Sequence, residues 1–242
     1  MSGRDPGTTE VDMRVLVVGA TGGSGRAAVA ALVRAGHEVT ALSRHGAALH
    51  GRGVRGVDGD ATDPATVDAL VAGQDAVVVT LGISEDALRV RLRGPRGTAP
   101  DVRSRGTAVV VDAMRRHGVR RLVVQTSYGV GSSRARLPLA SRVMFALLLA
   151  PQIADTQRQA DLVHASGLDW VEVQPVNLTD DDVAVPAVVA HDDRTASMRV
   201  ARRQVGDVLA AAVERDDVVG RVLAVSHDAR RRVVAGQVLD GA

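Results

Sequence analysis

Seven stretches of the chain are apolar without the alternation of a half-exposed strand. They are MRVLVVG (13–19), HEVTALS (37–43), VRGVDGD (54–60), DAVVVTLG (75–82), VRRLVVQTS (119–127), LDWVEVQP (168–175) and RVLAVS (221–226). Near-continuous Val and Leu runs bury both faces of a strand, as in a parallel sheet covered by helices on each side. Between these runs, apolar positions take a helical spacing and stop at breakers. The spacing predicts a helix over 24–35, ended by Gly36, and one from Pro64 with Asp63 as its N-cap. Further helices are predicted over 101–117, stopped by Gly118, and over 139–150, 154–165 and 204–215. Strands alternate with helices and no repeat or linker interrupts them. The expectation is one domain over residues 13–242, an α/β doubly wound parallel sheet, with residues 1–12 as a short disordered arm.

The turn after the first strand carries the most specific pattern. In VVGATGGSGR, Gly19, Gly22 and Gly25 form G-x-x-G-x-x-G directly between a strand and a helix. The first glycine allows the tight turn, the second lets the backbone approach a pyrophosphate, and the third lets the helix pack on the sheet. The helix N-terminus then offers unpaired N–H groups and a positive dipole end to the phosphates. This predicts a dinucleotide cradle. The end of the second strand bears on which dinucleotide. An acid there would take the ribose 2′-OH of NAD, but the strand leaves through Ser43 and Arg44. An arginine in that place suits a 2′-phosphate and favours NADP(H) over NAD(H); the plain alternative is a solvated loop residue.

Composition narrows the classes. The 45% apolar content suits one sizeable core, yet Phe145, Tyr128 and Trp170 are the only aromatics, so Val, Leu and Ala do the packing. There is no Cys, and the seven His are scattered, so no disulfide, thiolate or metal site is expected. The pI is near 10.1 although the net charge is only +2, and every one of the 30 basic residues is Arg. With no Lys or Cys, little titrates between His and Arg, so the high pI reflects missing buffering groups rather than a polyanion partner. Nucleic acid is not expected, since aromatic platforms are absent. No run approaches the ~20 apolar residues of a membrane span. VMFALLLA (143–150) is short and meets Pro151, and the polar N-terminus lacks a secretory core. A cytoplasmic protein is the expectation.

VVGATGGSGR, the SR after the second strand, GDATDP after the third, LG after the fourth and SGLDWVEVQPVNLTD late in the chain together resemble the atypical short-chain dehydrogenase/reductases. The resemblance is to the NAD(P)H-binding, NmrA-like and flavin/biliverdin-IX-beta reductase-like members, and it spans about residues 13–226. It implies a Rossmann sheet of about seven strands, with substrate over its C-terminal edge. By position it implies that Thr21, Gly22, Gly23 and Ser24 touch phosphates, and that Ser43 and Arg44 meet the adenosine 2′-phosphate. It places Asp60 and Ala61 beside adenine and Leu81 and Gly82 along the ribose. Thr126 and Ser127 fall near the nicotinamide, and Pro175, Val176 and Asn177 close over the carboxamide.

The chemistry departs from the usual pattern. Many short-chain reductases protonate a carbonyl with a Tyr aided by a Lys four residues on. Here Tyr128 is followed at that spacing by Ser132, and Thr156 stands where many relatives place another Lys. Arg134, Arg136 or Arg158 can supply positive charge but not a proton near pH 7. Three chemistries stay open. One is hydride transfer to a flavin, quinone or conjugated ketone that needs little enzymatic acid. The second is carbonyl or enone reduction with Tyr128 or Ser127 as donor. The third is a non-redox role, as a cyclase, an isomerase or an NADP(H)-sensing regulator. Asp155 is either a general base or a helix-terminal cap. Arg89, Arg91, Arg93 and Arg96 either clamp an anion or lie on a solvated loop, and Met144 and Phe145 either pack in the core or meet an apolar substrate. Asp180, Asp181 and Asp182 read as a solvated turn. A small-molecule substrate is expected; monomer and homodimer both remain open.

Overall fold

The computed structural model describes residues 12–82, 99–137, 150–183, 185–228, 232–234 and 237–239. The first half alternates as the pattern requires: β1 (Arg14–Val18), α1 (Gly23–Arg34), β2 (Glu38–Ser43), β3 (Val54–Asp58), α2 (Pro64–Val71) and β4 (Ala76–Val79). The second half contributes α3 (Val102–His117), β5 (Arg121–Gln125), α4 (Ala150–His164), β6 (Asp169–Pro175), β7 (Asn177–Thr179) and β8 (Val188–Ala190). It ends with β9 (Arg199–Ala201), α5 (Arg202–Glu214), β10 (Arg221–Ser226), β11 (Arg232–Val234) and β12 (Gln237–Leu239).

Eight strands form the main sheet in the order β3-β2-β1-β4-β5-β6-β10-β8. The chain winds outward from β1 in both directions, and the reversal beside β1 opens a crevice at the carboxyl ends of the strands. β1 shows why the strands read as unbroken apolar runs. Val15 and Val17 belong to one core, with α1 and α5, and Leu16 and Val18 to the other, with α2 and α3. All four are fully buried, each removing roughly 1.5–3 kcal/mol worth of apolar side chain from water.

Local signals fixed several ends. Asp63 accepts from the Ala65 and Thr66 amides, with Pro64 opening α2. Those bonds hold its carboxyl below the usual range, the Thr66 hydroxyl being the largest influence. Gly118 closes α3 in the left-handed region, at φ +69°.

The sheet is the expected doubly wound, mostly parallel one, with a single edge strand, β8, pairing antiparallel with β10. Two expectations need correction. RVLAVS is not the last strand, because β11 and β12 form a small antiparallel pair after it. The helix expected from residue 154 begins at Ala150, four residues earlier, with Pro151 inside its first turn. Proline is tolerated there because a first-turn N–H has no helical partner to lose. The sequence pattern had treated Pro151 only as a stop. The helix predicted over 139–150, with Met144 and Phe145, lies outside the described residues, as do Arg89, Arg91, Arg93, Arg96 and the first eleven residues. Among the described residues, no helix is long and apolar enough to cross a membrane.

Candidate functional site

The glycine turn is shaped by close backbone approach. Gly19 has φ +89°, and a Cβ there would stand 2.9 Å from the Thr80 carbonyl oxygen at the end of β4. A Cβ on Gly25 would stand 2.3 Å from the Gly19 carbonyl oxygen. No side chain fits at either place, so α1 starts hard against the sheet and its first N–H groups face the crevice.

That crevice is a cleft of about 310 Å³. Gly19, Thr21, Gly22 and Gly23 form one wall, and Ser43, Arg44 and His45 lie at the exit of β2. Asp60, Ala61 and Thr62 follow β3, and Thr80, Leu81 and Gly82 follow β4. Ten of the sequence-predicted cofactor residues therefore come together in one cavity. Ser24 and Gly25 stand behind it, buried in the first turn of α1. Asp60 is held in place by its own loop, with Oδ1 accepting from the Thr62 amide and hydroxyl, each at 2.8 Å.

A second recess, of about 210 Å³, opens beside the cleft. Ser127 and Tyr128 line it after β5, Gln152, Ile153 and Thr156 from α4, and Pro175, Val176 and Asn177 after β6. Arg103 and Met198 complete it. Thr126 lies deeper, fully enclosed, with its hydroxyl donating to Glu172 Oε1 at 2.5 Å. The Glu172 carboxylate also receives Gln174 at 2.8 Å and His164 at 2.7 Å. Burial pushes the Glu172 carboxyl up, but His164, Gln174 and Thr126 together hold it below the usual range. The same contact raises His164, against a smaller opposing effect of burial.

The catalytic candidates separate. Ser127 faces the recess. Tyr128 is 4% exposed, and its hydroxyl donates to the Asp193 carbonyl at 2.8 Å. Burial raises the phenol above its ordinary value, which makes it a weaker acid. Asp155 does not line the recess. Its Oδ1 takes the Ser104 hydroxyl at 2.5 Å, and Oδ2 takes the Arg103 amide at 3.1 Å. It caps α3 from a different helix and is 2% exposed, so its oxygens are committed to structure rather than poised as a base. Arg158 is 3.6 Å from the same carboxylate.

Two arginines were missed. Arg202, opening α5, packs over the glycine turn: a Cβ on Gly23 would stand 2.5 Å from its Cδ and Nε. Its Nη1 is 2.5 Å from Asp180 Oδ1. Asp181 and Asp182 pair likewise with Arg199 and Arg203, and all three aspartates are exposed, as a solvated turn requires. Arg103 lines the recess and packs against Gly82 of the cleft. In a chain with so many arginines, neither carries a sequence signal; only the fold brings them to the site.

A larger depression, of about 740 Å³, lies at the opposite end of the sheet, where β1, β5 and β6 begin. Its walls hold surface ion pairs such as Arg14–Asp75 and Arg120–Asp169. It lies at the amino ends of these strands, whereas ligands of open α/β sheets bind at the carboxyl ends. The smaller cleft is therefore the candidate site.

Comparison with known proteins gives the family. The NAD(P)H-binding family matches residues 19–216. A 2-alkyl-3-oxoalkanoate reductase of Stenotrophomonas maltophilia is 34% identical over 128 residues, 52% of this chain and 37% of that protein. A 3-diazoavenalumate denitrifying reductase of a Streptomyces species is 40% identical over 115 residues, 47% of this chain and 38% of that protein. The chain thus matches less than two fifths of the length of these curated relatives. Among solved structures, a short-chain dehydrogenase/reductase from Veillonella parvula in complex with NADP superposes with a TM-score of 0.71 at 15% identity, covering 95% of this chain and 98% of that one. An anaerobillin reductase from Escherichia coli gives 0.70 at 19%, covering 91% and 100%.

Proposed function

The chain belongs to the NAD(P)H-binding family, and from that premise we propose that it is an NADPH-dependent reductase of the atypical short-chain type. Its substrate is a small conjugated, quinone-like or enone/ketone compound, reduced without a Tyr–Lys pair. The observation that carries this reading is the neighbourhood of two cavities, joined at Gly82 and Arg103. A glycine-walled cleft with Arg44 at one end adjoins, at the other, a small recess lined by Ser127, Ile153, Val176 and Met198.

The residues divide the work. The backbone from Thr21 to Ser24 holds the pyrophosphate at the start of α1, where the helix dipole and the first-turn N–H groups act together. The side chains of Ser43 and Arg44 take the 2′-phosphate, a charge-assisted contact that NAD(H) lacks. Asp60 and Ala61 border the adenine, and Leu81 and Gly82 the ribose. Pro175, Val176 and Asn177 fix the nicotinamide face toward the recess, and Ile153, Val176 and Met198 keep water from its floor. A bound NADPH supplies the hydride. The proton comes from water or from the Ser127 hydroxyl, because the Tyr128 hydroxyl is engaged by Asp193 and no lysine is present to make it more acidic.

The engaged tyrosine also favours a second reading, a non-redox enzyme or an NADP(H)-sensing regulator on the same fold. One assay separates the two. The protein is mixed with NADPH and a panel of quinones, flavins and enones, and the absorbance of the reduced nicotinamide is followed. Oxidation with at least one acceptor is expected. Tight NADPH binding with no oxidation across the panel would move the assignment to the second reading, and failure to bind either dinucleotide would refute both the reductase and the sensor.

A further inference from the structure

We infer that the recess takes a substrate carrying a carboxylate, and that Arg103 is the residue that binds it. The inference rests on the reading above only for the recess being the substrate side of the cofactor cleft.

Arg103 stands in the first turn of α3, lining the recess and packed against Gly82 of the cleft. It lines the recess together with Ser127 and Tyr128. It also reaches the cleft, where a Cβ on Gly82 would stand 3.0 Å from its Nη2. The absence of a side chain at Gly82 therefore makes room for the guanidinium. Burial pulls the guanidinium below its ordinary pKa, with Asp155 acting weakly against that.

A partly buried cation normally has a carboxylate beside it. Asp155 is the one charged group among the described residues acting on Arg103. Its oxygens take the Ser104 hydroxyl and the Arg103 and Ser104 amides, so its hydrogen bonds go to the start of α3 rather than to the guanidinium. The described residues lining the recess include no Asp or Glu. The recess thus presents one guanidinium, the hydroxyl of Ser127, the amide of Asn177 and an apolar floor. That set matches a short apolar or conjugated acid, since guanidinium forms paired, planar hydrogen bonds with carboxylate. Burial makes the preference for a charged group larger than at an exposed arginine.

The test uses shape-matched acids and amides: butanoate and cinnamate against butanamide and cinnamamide, titrated calorimetrically with and without saturating NADP⁺. At least one acid is expected to bind on the order of tenfold or more tightly than its amide, a difference of about 1.4 kcal/mol. In Arg103→Gln the acid and amide should come within twofold, while NADP⁺ affinity stays within threefold of the parent. Arg103→Lys should keep part of the preference, and it carries the comparison if Arg103→Gln does not fold. Equal binding of acid and amide, no binding of either acid, or a preference surviving Arg103→Gln would each overturn the inference. So would a tenfold loss of NADP⁺ affinity in Arg103→Gln, which would assign the side chain to a cofactor phosphate. A preserved acid preference in a protein that oxidises no NADPH would reject the reductase reading and leave this one standing.

Discussion

In the cleft, the wall of the glycine turn is largely backbone, because Gly19 and Gly25 bring the chain against the end of β4 and against itself. In the recess the lining groups are side chains, drawn from Arg103, Ser127, Ile153, Asn177 and Met198 on separate elements. The first is set by conformations that only certain residues permit, within one turn of chain. The second is set by which side chains the sheet happens to bring together, across almost a hundred residues. A backbone site tolerates little change at its glycines, whereas a side-chain site can be rewritten by single substitutions. On the proposed reading, the cofactor end is set by backbone and the substrate end by side chains.

The hardest break is at the turn. Gly25→Val puts atoms where the Gly19 carbonyl stands. Overpacking of this kind costs roughly 1–3 kcal/mol, and NADP(H) binding should be lost altogether in a nucleotide titration. Met198→Ala, on the recess side, should leave nucleotide affinity within about threefold; equal losses in the two variants would erase the distinction.

Next comes the network beneath the β5 exit. Removing one partner of a buried charged pair costs about 3–5 kcal/mol. Glu172→Ala should fall at the lower end of that range in urea unfolding, because His164 is partly exposed and resolvates. A cost below about 1 kcal/mol would show that the network does not hold the recess wall.

A smaller effect is expected at Arg44. Losing a hydrogen bond to a charged group costs about 1.5–3 kcal/mol, so Arg44→Ala should weaken NADPH binding tenfold or more and barely change NADH. Equal weakening of the two cofactors would remove the 2′-phosphate assignment.

Tyr128→Phe should cost about 1 kcal/mol of stability, the typical worth of a hydrogen bond such as that to Asp193. Turnover should stay within a few-fold. A hundredfold loss in a folded variant would put the phenol in the chemistry.

The smallest effect is in the pH profile. The folded pKa of His164 is raised above its ordinary 6.5, so its contribution is fully present below that value and lost as pH rises through the folded pKa. The Glu172 carboxyl is lowered, so its contribution is present above about 4.5 and lost as pH falls through its folded pKa. Thermal stability should therefore fall on both sides of a plateau, and His164→Gln should flatten the alkaline side. An unchanged alkaline limb would mean the pair is not linked to folding.

The sequence by itself determined the sheet, its first-half order of elements, the glycine turn and the exits of β2, β3 and β4 that face it. These are local facts: strand and helix periodicity, caps such as Asp63, breakers such as Gly118, and glycines required by close backbone approach. Only the tertiary structure decided that Asp155 caps a neighbouring helix, that Tyr128 is tied to Asp193, and that Arg103 and Arg202 stand at the cavities. Those four depend on which side chains meet after helices α3, α4 and α5 pack on the sheet. An aspartate, a tyrosine or one arginine among thirty looks the same in the chain whether its partner is water, a carbonyl or a ligand. Contact partners far apart in sequence are chosen by packing, and packing leaves no mark on the local pattern.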